Sequence, residues 1–85
     1  MDAGSAMDSN SDLILFMARN LVEDPSLVSV SRHERDKGVV YELRVGARDL
    51  GKVIGKNGKT ARCMRAVLNA YLSKTGERAQ LEIQG

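Results

Sequence analysis

A turn framed by two glycines, Gly55-Lys56-Asn57-Gly58, is the segment of this sequence best suited to binding chemistry. Glycine tolerates positive φ and lets another backbone approach closely, because it has no Cβ. An amphipathic run begins at Lys59, immediately after the turn, so the turn should open a helix. The unpaired N–H groups and the dipole at a helix N-terminus favour an anion. The turn therefore predicts a binding site for an anion.

The positive charge of the chain is concentrated around this turn. Residues 44 to 65 contain seven basic residues and one acid, Asp49, a net charge of +6, whereas the whole 85-residue chain carries only +2. A basic centre within an otherwise acidic small protein fits a focused surface for a polyanion. The alternative explanation of the cluster is an ordinary solvated helix surface, where Lys and Arg are common. Because the charge is centred on the turn, we expect the anion to be a nucleic-acid phosphate.

Two nucleotide-binding motifs overlap this turn, and both fail at the same position. Gly58-Lys59-Thr60 matches the end of a phosphate loop, which requires a glycine five positions before Gly58. The dinucleotide motif G-x-G-x-x-G, if it ended at Gly58, would require glycine there too. Residue 53 is valine, and 85 residues are too few for a nucleotide-binding α/β domain. The sequence therefore argues against a nucleotide triphosphatase and against a dinucleotide-dependent enzyme.

Residues that could perform catalysis or bind a metal are few and dispersed. The single cysteine, Cys63, excludes an internal disulfide and a multi-cysteine zinc site. The only histidine, His33, falls in a predicted loop, and the carboxylates nearby have no spacing that would pair them in a cleft. We therefore expect no enzyme activity, cofactor, metal or small-molecule substrate. No apolar run reaches about 18 residues and no signal-peptide pattern is present, so we expect a cytoplasmic protein away from membranes.

The segments before the turn predict a tail, a helix and a hairpin. Residues 1–10 are small and polar, and we expect them to be a disordered tail. Apolar residues then recur at helical spacing over residues 13–21, and Asp24-Pro25 ends this helix. Alternating patterns over residues 27–32 and 39–45 predict two antiparallel strands joined by a polar loop. The residues that could cap the helix are Ser9, Asn10 and Ser11.

The segments around and after the turn complete a small α+β fold. Residues 47–53 predict a short helix, residues 59–74 the longest helix, and residues 79–84 a last strand. A three-stranded mixed sheet with three helices on one face accounts for every apolar stripe. The last strand follows a two-helix crossover, so it can lie parallel to a neighbour. The residues expected to face the core include Leu50, Val53, Ile54, Val67 and the aromatic residues Phe16, Tyr41 and Tyr71.

Residues 12–84 resemble a KH domain, and the whole chain is similar to the small stand-alone bacterial KH proteins of the KhpA (YlqC) family. The match is carried by residues 50–59, Leu-Gly-Lys-Val-Ile-Gly-Lys-Asn-Gly-Lys, and by the hairpin before them. The helix and strand that precede the strand–helix–turn–helix–strand core imply the type II arrangement. On this basis residues 11–85 form a single KH domain.

The resemblance implies that the turn clamps the backbone of single-stranded RNA. Gly55 and Gly58 would form the tight turn, while Lys56 and Asn57 would point at phosphates. Lys59 and Arg62, on the next turns of the helix, would add charge along the strand. Ile54 would line the groove that accepts bases, although packing in the core is an equal alternative. Lys52, Arg48 and Arg65 fit a solvated surface as well as they fit RNA contact. The full predicted RNA-binding set is Lys52, Ile54, Gly55, Lys56, Asn57, Gly58, Lys59 and Arg62.

The resemblance also implies partners. Proteins of this family pair with themselves or with a larger partner that carries its own KH domain, and they are connected to RNA regulation or chaperoning and to cell elongation and envelope control. A single clamp without a stacking array predicts modest affinity and weak sequence preference, which dimerisation would offset through avidity. The alternative is a protein–protein interaction module whose basic face docks an acidic partner.

Overall fold

The computed structural model of the protein describes residues 8–74 and 76–85. A helix and a hairpin are followed by two helices and a last strand, as the sequence predicts. Single turns of 3₁₀ helix precede β1, α2 and α3. The elements are α1 (Ser9–Leu21), β1 (Ser29–Arg35), β2 (Gly38–Arg44), α2 (Leu50–Ile54), α3 (Lys59–Leu72) and β3 (Ala79–Gln84). No helix among these is long and apolar enough to cross a lipid bilayer.

The three strands form one mixed sheet in the order β1-β2-β3. β1 lies antiparallel to β2, with Val30 opposite Leu43, and β3 lies parallel to β2, with Leu81 beside Tyr41. Parallel neighbours need a crossover connection, and here α2 and α3 supply it. The parallel placement of the last strand is thus confirmed. The glycine turn lies within this crossover, between its two helices.

The hairpin is tighter than the sequence predicts. β1 continues through residues 33–35, which were expected to form a loop, and pairs with β2 up to Gly38. Only residues 36–37 form the turn. Polar residues can extend this strand because His33 and Arg35 lie on the face of the sheet opposite Tyr41, while Glu34, on the face of Tyr41, stays exposed on this edge strand. On the face opposite Tyr41, His33 Nε2 lies 3.7 Å from a carboxylate oxygen of Glu42.

The hydrophobic core lies between the sheet and the three helices. Tyr41 and Leu43 of β2 are almost fully buried, and each apolar side chain removed from water contributes roughly 1.5–3 kcal/mol. Val53 is fully buried, so the valine that excludes the nucleotide motifs also fixes α2 to the core just before the turn. The helices contribute Ile14, Leu15, Ala18, Val53, Met64, Leu68 and Leu72 to the core.

The first helix begins earlier than predicted. Asp8 is its N-cap, because the Asp8 carboxylate accepts a hydrogen bond of 2.7 Å from the Ser11 N–H. Asn10 and Ser11 are both buried. Residues 8–10, assigned to the tail from sequence, therefore belong to the folded part of the chain. Residues 1–7 of that predicted tail lie outside the described residues.

A polar network joins the start of α1 to the sheet. The Tyr41 hydroxyl donates to Asp8 Oδ2 at 2.7 Å and accepts from the Asn10 amide at 3.0 Å, while Arg32 Nε lies 3.2 Å from Asp8 Oδ2. Burial raises the pKa of the Tyr41 hydroxyl. Burial alone would also raise the pKa of the Asp8 carboxyl, but hydrogen bonds from Ser11 and Tyr41 lower it below its usual value. The network therefore holds Asp8 charged at the positive end of α1.

Several apolar residues that were expected in the core are exposed. Phe16 retains 68% of its surface, Val67 47% and Tyr71 38%, so the predictions for these three are wrong, whereas Tyr41 is confirmed as a core residue. A helix presents only one stripe to its sheet, and these three side chains fall outside that stripe. The surface of the helix layer is therefore partly apolar.

Candidate nucleic-acid interface

The turn between α2 and α3 is built from backbone conformations that favour glycine. Gly55 has φ 78°, and Asn57 and Gly58 follow in the left-handed region at φ 57° and 74°. Asn57 is the only non-glycine residue with positive φ in the described part of the chain, and asparagine accepts this region better than most residues. A Cβ at Gly55 would lie 2.8 Å from the Thr60 backbone nitrogen. Both conformation and space therefore require glycine at residue 55.

Two backbone hydrogen bonds close this turn and leave two donors unused. The Gly58 N–H donates to the Gly55 carbonyl at 3.1 Å, and the Lys59 N–H donates to the Lys56 carbonyl. The N–H groups of Lys56 and Asn57 have no hydrogen-bond partner within residues 8–74 and 76–85. They lie just before the N-terminus of α3, whose dipole adds partial positive charge. This arrangement can bind an oxyanion.

The predicted side chains around the turn are exposed. Lys56, Asn57 and Lys59 are all open to solvent, and neither lysine forms an ion pair with any described residue. Ile54 keeps 37% of its surface exposed, although its neighbour Val53 is fully buried. The inward orientation expected for Ile54 is therefore wrong, and its role in lining a groove for bases stays a prediction.

Two arginines of α3 donate to backbone carbonyls, one in the turn before the helix and one in β3. Arg62 Nη1 donates to the Asn57 carbonyl oxygen at 2.8 Å, and Arg65 Nε donates to the Leu81 carbonyl oxygen of β3 at 3.2 Å. Residues three apart on a helix share a face, so both arginines lie on the side of α3 that faces the free edge of β3. Each guanidinium thus has a partner within the protein.

Lys52 differs from the other members of the predicted set because its charge is already compensated. Its Nζ lies 2.6 Å from a Glu23 carboxylate oxygen and 4.0 Å from Asp49 Oδ1. The structure therefore places Lys52 beside α1 and the start of α2, in contact with acids. Of the predicted basic residues, Lys56 and Lys59 are the ones without a partner among the described residues.

Sequence reasoning missed Asp49, which it treated only as the one acid of the basic segment. Asp49 is 3% exposed, and its two carboxylate oxygens accept the backbone N–H groups of Glu23 at 3.1 Å and Asp24 at 3.2 Å. The hydrogen bond from Glu23 is the main cause that lowers the pKa of the Asp49 carboxyl. The only hint in the sequence was an acid at the start of a predicted helix. The N–H groups that bind its carboxylate lie 25 or more residues away in sequence, so local patterns could not identify them.

An open groove of about 290 Å³ lies between α3 and the edge of the sheet. Arg65 and Asn69 of α3 form one wall, and β3 forms the other. Arg62 lies on the same side of α3 as Arg65, about one helical turn nearer to the glycine turn. A short polymer held at the turn could continue along it. Within the described part of the chain, no group of three His, Cys, Asp or Glu residues could hold a metal ion.

The sequence matches the family model for the KhpA/KhpB KH domain over residues 11–83. The RNA-binding protein KhpA of Aquifex aeolicus is 44% identical over 77 residues, which cover 91% of this chain and 98% of that protein. The protein of the same name from Borreliella burgdorferi is 42% identical, with 85% and 88% covered. That of Listeria monocytogenes is 38% identical, with 85% and 95% covered.

Solved structures show the same fold at low sequence identity. Aquifex aeolicus Era bound to GDP and AlF4⁻ superposes with a TM-score of 0.65 at 17% identity, covering 89% of this chain but 29% of the Era chain. Era in complex with a segment of 16S ribosomal RNA gives a TM-score of 0.61 at 17% identity, covering 88% and 29%. These superpositions show that the fold from α1 to β3 also occurs in both Era structures. The family match over residues 11–83 and the relatives at 38–44% identity show that the chain belongs to the KhpA/KhpB KH-domain family.

Proposed function

We propose that this protein binds single-stranded RNA without catalysis, through the turn from Gly55 to Gly58. The observation that carries the proposal is the pair of unused N–H groups, on Lys56 and Asn57, next to two lysines without ion-pair partners among the described residues. Backbone donors and mobile ammonium groups suit phosphate oxygens. The relatives named RNA-binding protein KhpA support RNA as the source of those phosphates.

The path of the strand follows from the surfaces next to the turn. Phosphates lie against Lys56, Asn57 and Lys59, and bases lie beside Ile54 and toward the groove between α3 and β3. A KH loop clamps about four nucleotides. No aromatic side chain lies among the residues of the turn, so base stacking contributes little and sequence preference is weak.

The double variant Lys56→Asp/Asn57→Asp tests this proposal, because it keeps both glycines while reversing charge at the turn. We expect binding to a labelled octauridylate, measured by fluorescence anisotropy, to weaken by more than about tenfold, with an unchanged thermal melt. The variant Lys74→Asp/Asn20→Asp makes the same change in net charge away from the turn and should bind like the parent.

Two results would contradict the RNA proposal. If Lys56→Asp/Asn57→Asp binds octauridylate as well as the parent, the turn is not the clamp. If the parent itself does not bind, the basic face is better explained by an acidic protein partner, which pull-down with an acidic peptide series would test.

We also propose that the protein acts in the cytoplasm as a homodimer or together with a larger KH-domain protein, in RNA regulation or chaperoning. One short clamp gains affinity when a second is linked to it. The exposed side chains of Phe16, Val67 and Tyr71 offer apolar surface for such pairing. Sedimentation across a range of concentrations tests the homodimer, and a monomer at every concentration would rule it out.

A further inference from the structure

The Arg62 guanidinium reaches back from the first turns of α3 to the turn before it. Its Nη1 donates to the Asn57 carbonyl oxygen at 2.8 Å, and a Cβ placed on Gly58 would lie 3.5 Å from the same nitrogen. That carbonyl belongs to the peptide unit between Asn57 and Gly58. Both residues are left-handed, at φ 57° and 74°. The hydrogen bond therefore holds a peptide unit that is flanked by two left-handed residues, a conformation that most residue types disfavour.

This peptide unit is joined through Asn57 to the two preceding units, which carry the unused donors. The N–H groups of Lys56 and Asn57 immediately precede it, and a rotation of the chain at Asn57 would redirect them. Asparagine accepts the left-handed region better than most residues, but the conformation still has a cost that contacts around it can offset. The hydrogen bond from Arg62 is exposed to solvent, but its donor is charged, so it can favour this conformation more than a neutral donor would.

We propose that Arg62 is a positioning residue for the clamp, which holds the Asn57 carbonyl and so orders the N–H groups of the turn before RNA binds. This inference rests on the proposed function, and it replaces the expectation that Arg62 supplies charge along the strand. Phosphate charge is met by Lys56 and Lys59, which have no ion-pair partner among the described residues.

The test uses three single variants that each remove one positive charge. Arg62→Met also removes the carbonyl contact. Lys59→Met removes a cation at the turn and serves as the charge control. Lys74→Met lies about 22 Å along the helix direction from Lys59, beyond the screening length of about 8 Å at physiological salt, and serves as the remote control. Affinity for octauridylate is measured at several salt concentrations, and amide hydrogen exchange is measured on the free proteins.

Arg62→Met should weaken binding about fivefold at every salt concentration and leave the salt slope unchanged. In the free protein, the amides of Gly58 and Lys59, which close the turn, should exchange about fivefold faster. Lys59→Met should instead reduce the slope by about 0.7, the share of one single-strand phosphate, without faster exchange. Arg62→Lys keeps the charge and a donor, so it should restore part of the protection, and Lys74→Met should resemble the parent.

Two outcomes overturn the inference. Unchanged exchange in Arg62→Met shows that the arginine does not order the turn, whatever happens to RNA binding. A slope reduced by about 0.7 in Arg62→Met shows that the guanidinium contacts phosphate. If the parent does not bind octauridylate, the proposed function fails, but the exchange measurement still decides whether Arg62 orders the turn.

Discussion

The two glycines of the turn are required for different reasons. At Gly55, φ is 78° and a Cβ would lie 2.8 Å from the Thr60 backbone nitrogen, with the Thr60 side chain against it as well. At Gly58, φ is 74°, but within residues 8–74 and 76–85 a Cβ would meet, apart from its chain neighbours, only Nη1 of Arg62 at 3.5 Å, an ordinary contact with a flexible side chain. Gly55 is therefore needed for space and conformation, whereas Gly58 is needed for conformation alone.

Alanine substitutions should separate these two requirements. Gly58→Ala places a Cβ in a left-handed residue and should lower the free energy of unfolding by about 1–2 kcal/mol. Gly55→Ala adds a clash with backbone and should cost about 3 kcal/mol or more. Urea unfolding followed by circular dichroism measures both. Equal losses for the two variants would show that the contact with Thr60 relaxes and is not a constraint.

Among the elements, α2 depends most on the rest of the fold. It has five residues, too few for a helix that is stable by itself. Buried Val53 attaches it to the core, and Asp49 attaches its start to the segment after α1. Since the glycine turn begins where α2 ends, these two side chains set the position of the candidate RNA site.

The Asp49 contact should make stability depend on pH. Hydrogen bonding from the Glu23 N–H lowers the pKa of the Asp49 carboxyl in the folded protein. Its contribution is therefore fully present above the unfolded pKa, about 3.9, and is lost as pH falls through the lower folded value. Asp49→Asn should be less stable than the parent at pH 7, and this difference should shrink below about pH 4. Asp36→Asn, in the hairpin turn, is the control, and a difference that stays constant with pH contradicts the assignment.

The elements also show what local sequence can predict. The bounds of β3 and the glycine turn were predicted correctly, because alternation and glycine spacing act over a few residues. The cap at Asp8 was missed because Ser9, Asn10 and Ser11 are also good capping residues, so local sequence did not single out Asp8. The hydrogen bond to Asp8 from Tyr41, 33 residues away, has no local signal at all. The exposure of Phe16 and Tyr71 was missed because periodicity shows that a stripe exists but not which residues at its margin are covered. The roles of the turn residues in RNA binding stay predictions.

At the scale of the whole molecule, the count of basic residues overstates the charge available to an anion. Seven cations lie between residues 44 and 65, but several have partners within the protein. Lys52 is paired with Glu23, and Arg62 and Arg65 donate to carbonyl oxygens. Arg44 lies 3.8 Å from Glu42. The three other cations are Arg48, Lys56 and Lys59, and only the two lysines lie at the glycine turn.

The salt dependence of RNA binding should reflect this smaller surface. Each single-strand phosphate that is neutralised contributes about −0.7 to the slope of log K against log salt, so about three contacts give a slope near −2. Seven contacts would give about −5. The measurement uses octauridylate between about 50 and 200 mM salt, a range in which such slopes are resolved. Sedimentation of the complex must accompany it, because a dimer that places two clamps on one strand would double the slope to about −4. A slope near −5 from a single bound protomer would mean that Arg44, Lys52, Arg62 and Arg65 all leave their protein partners to meet phosphate.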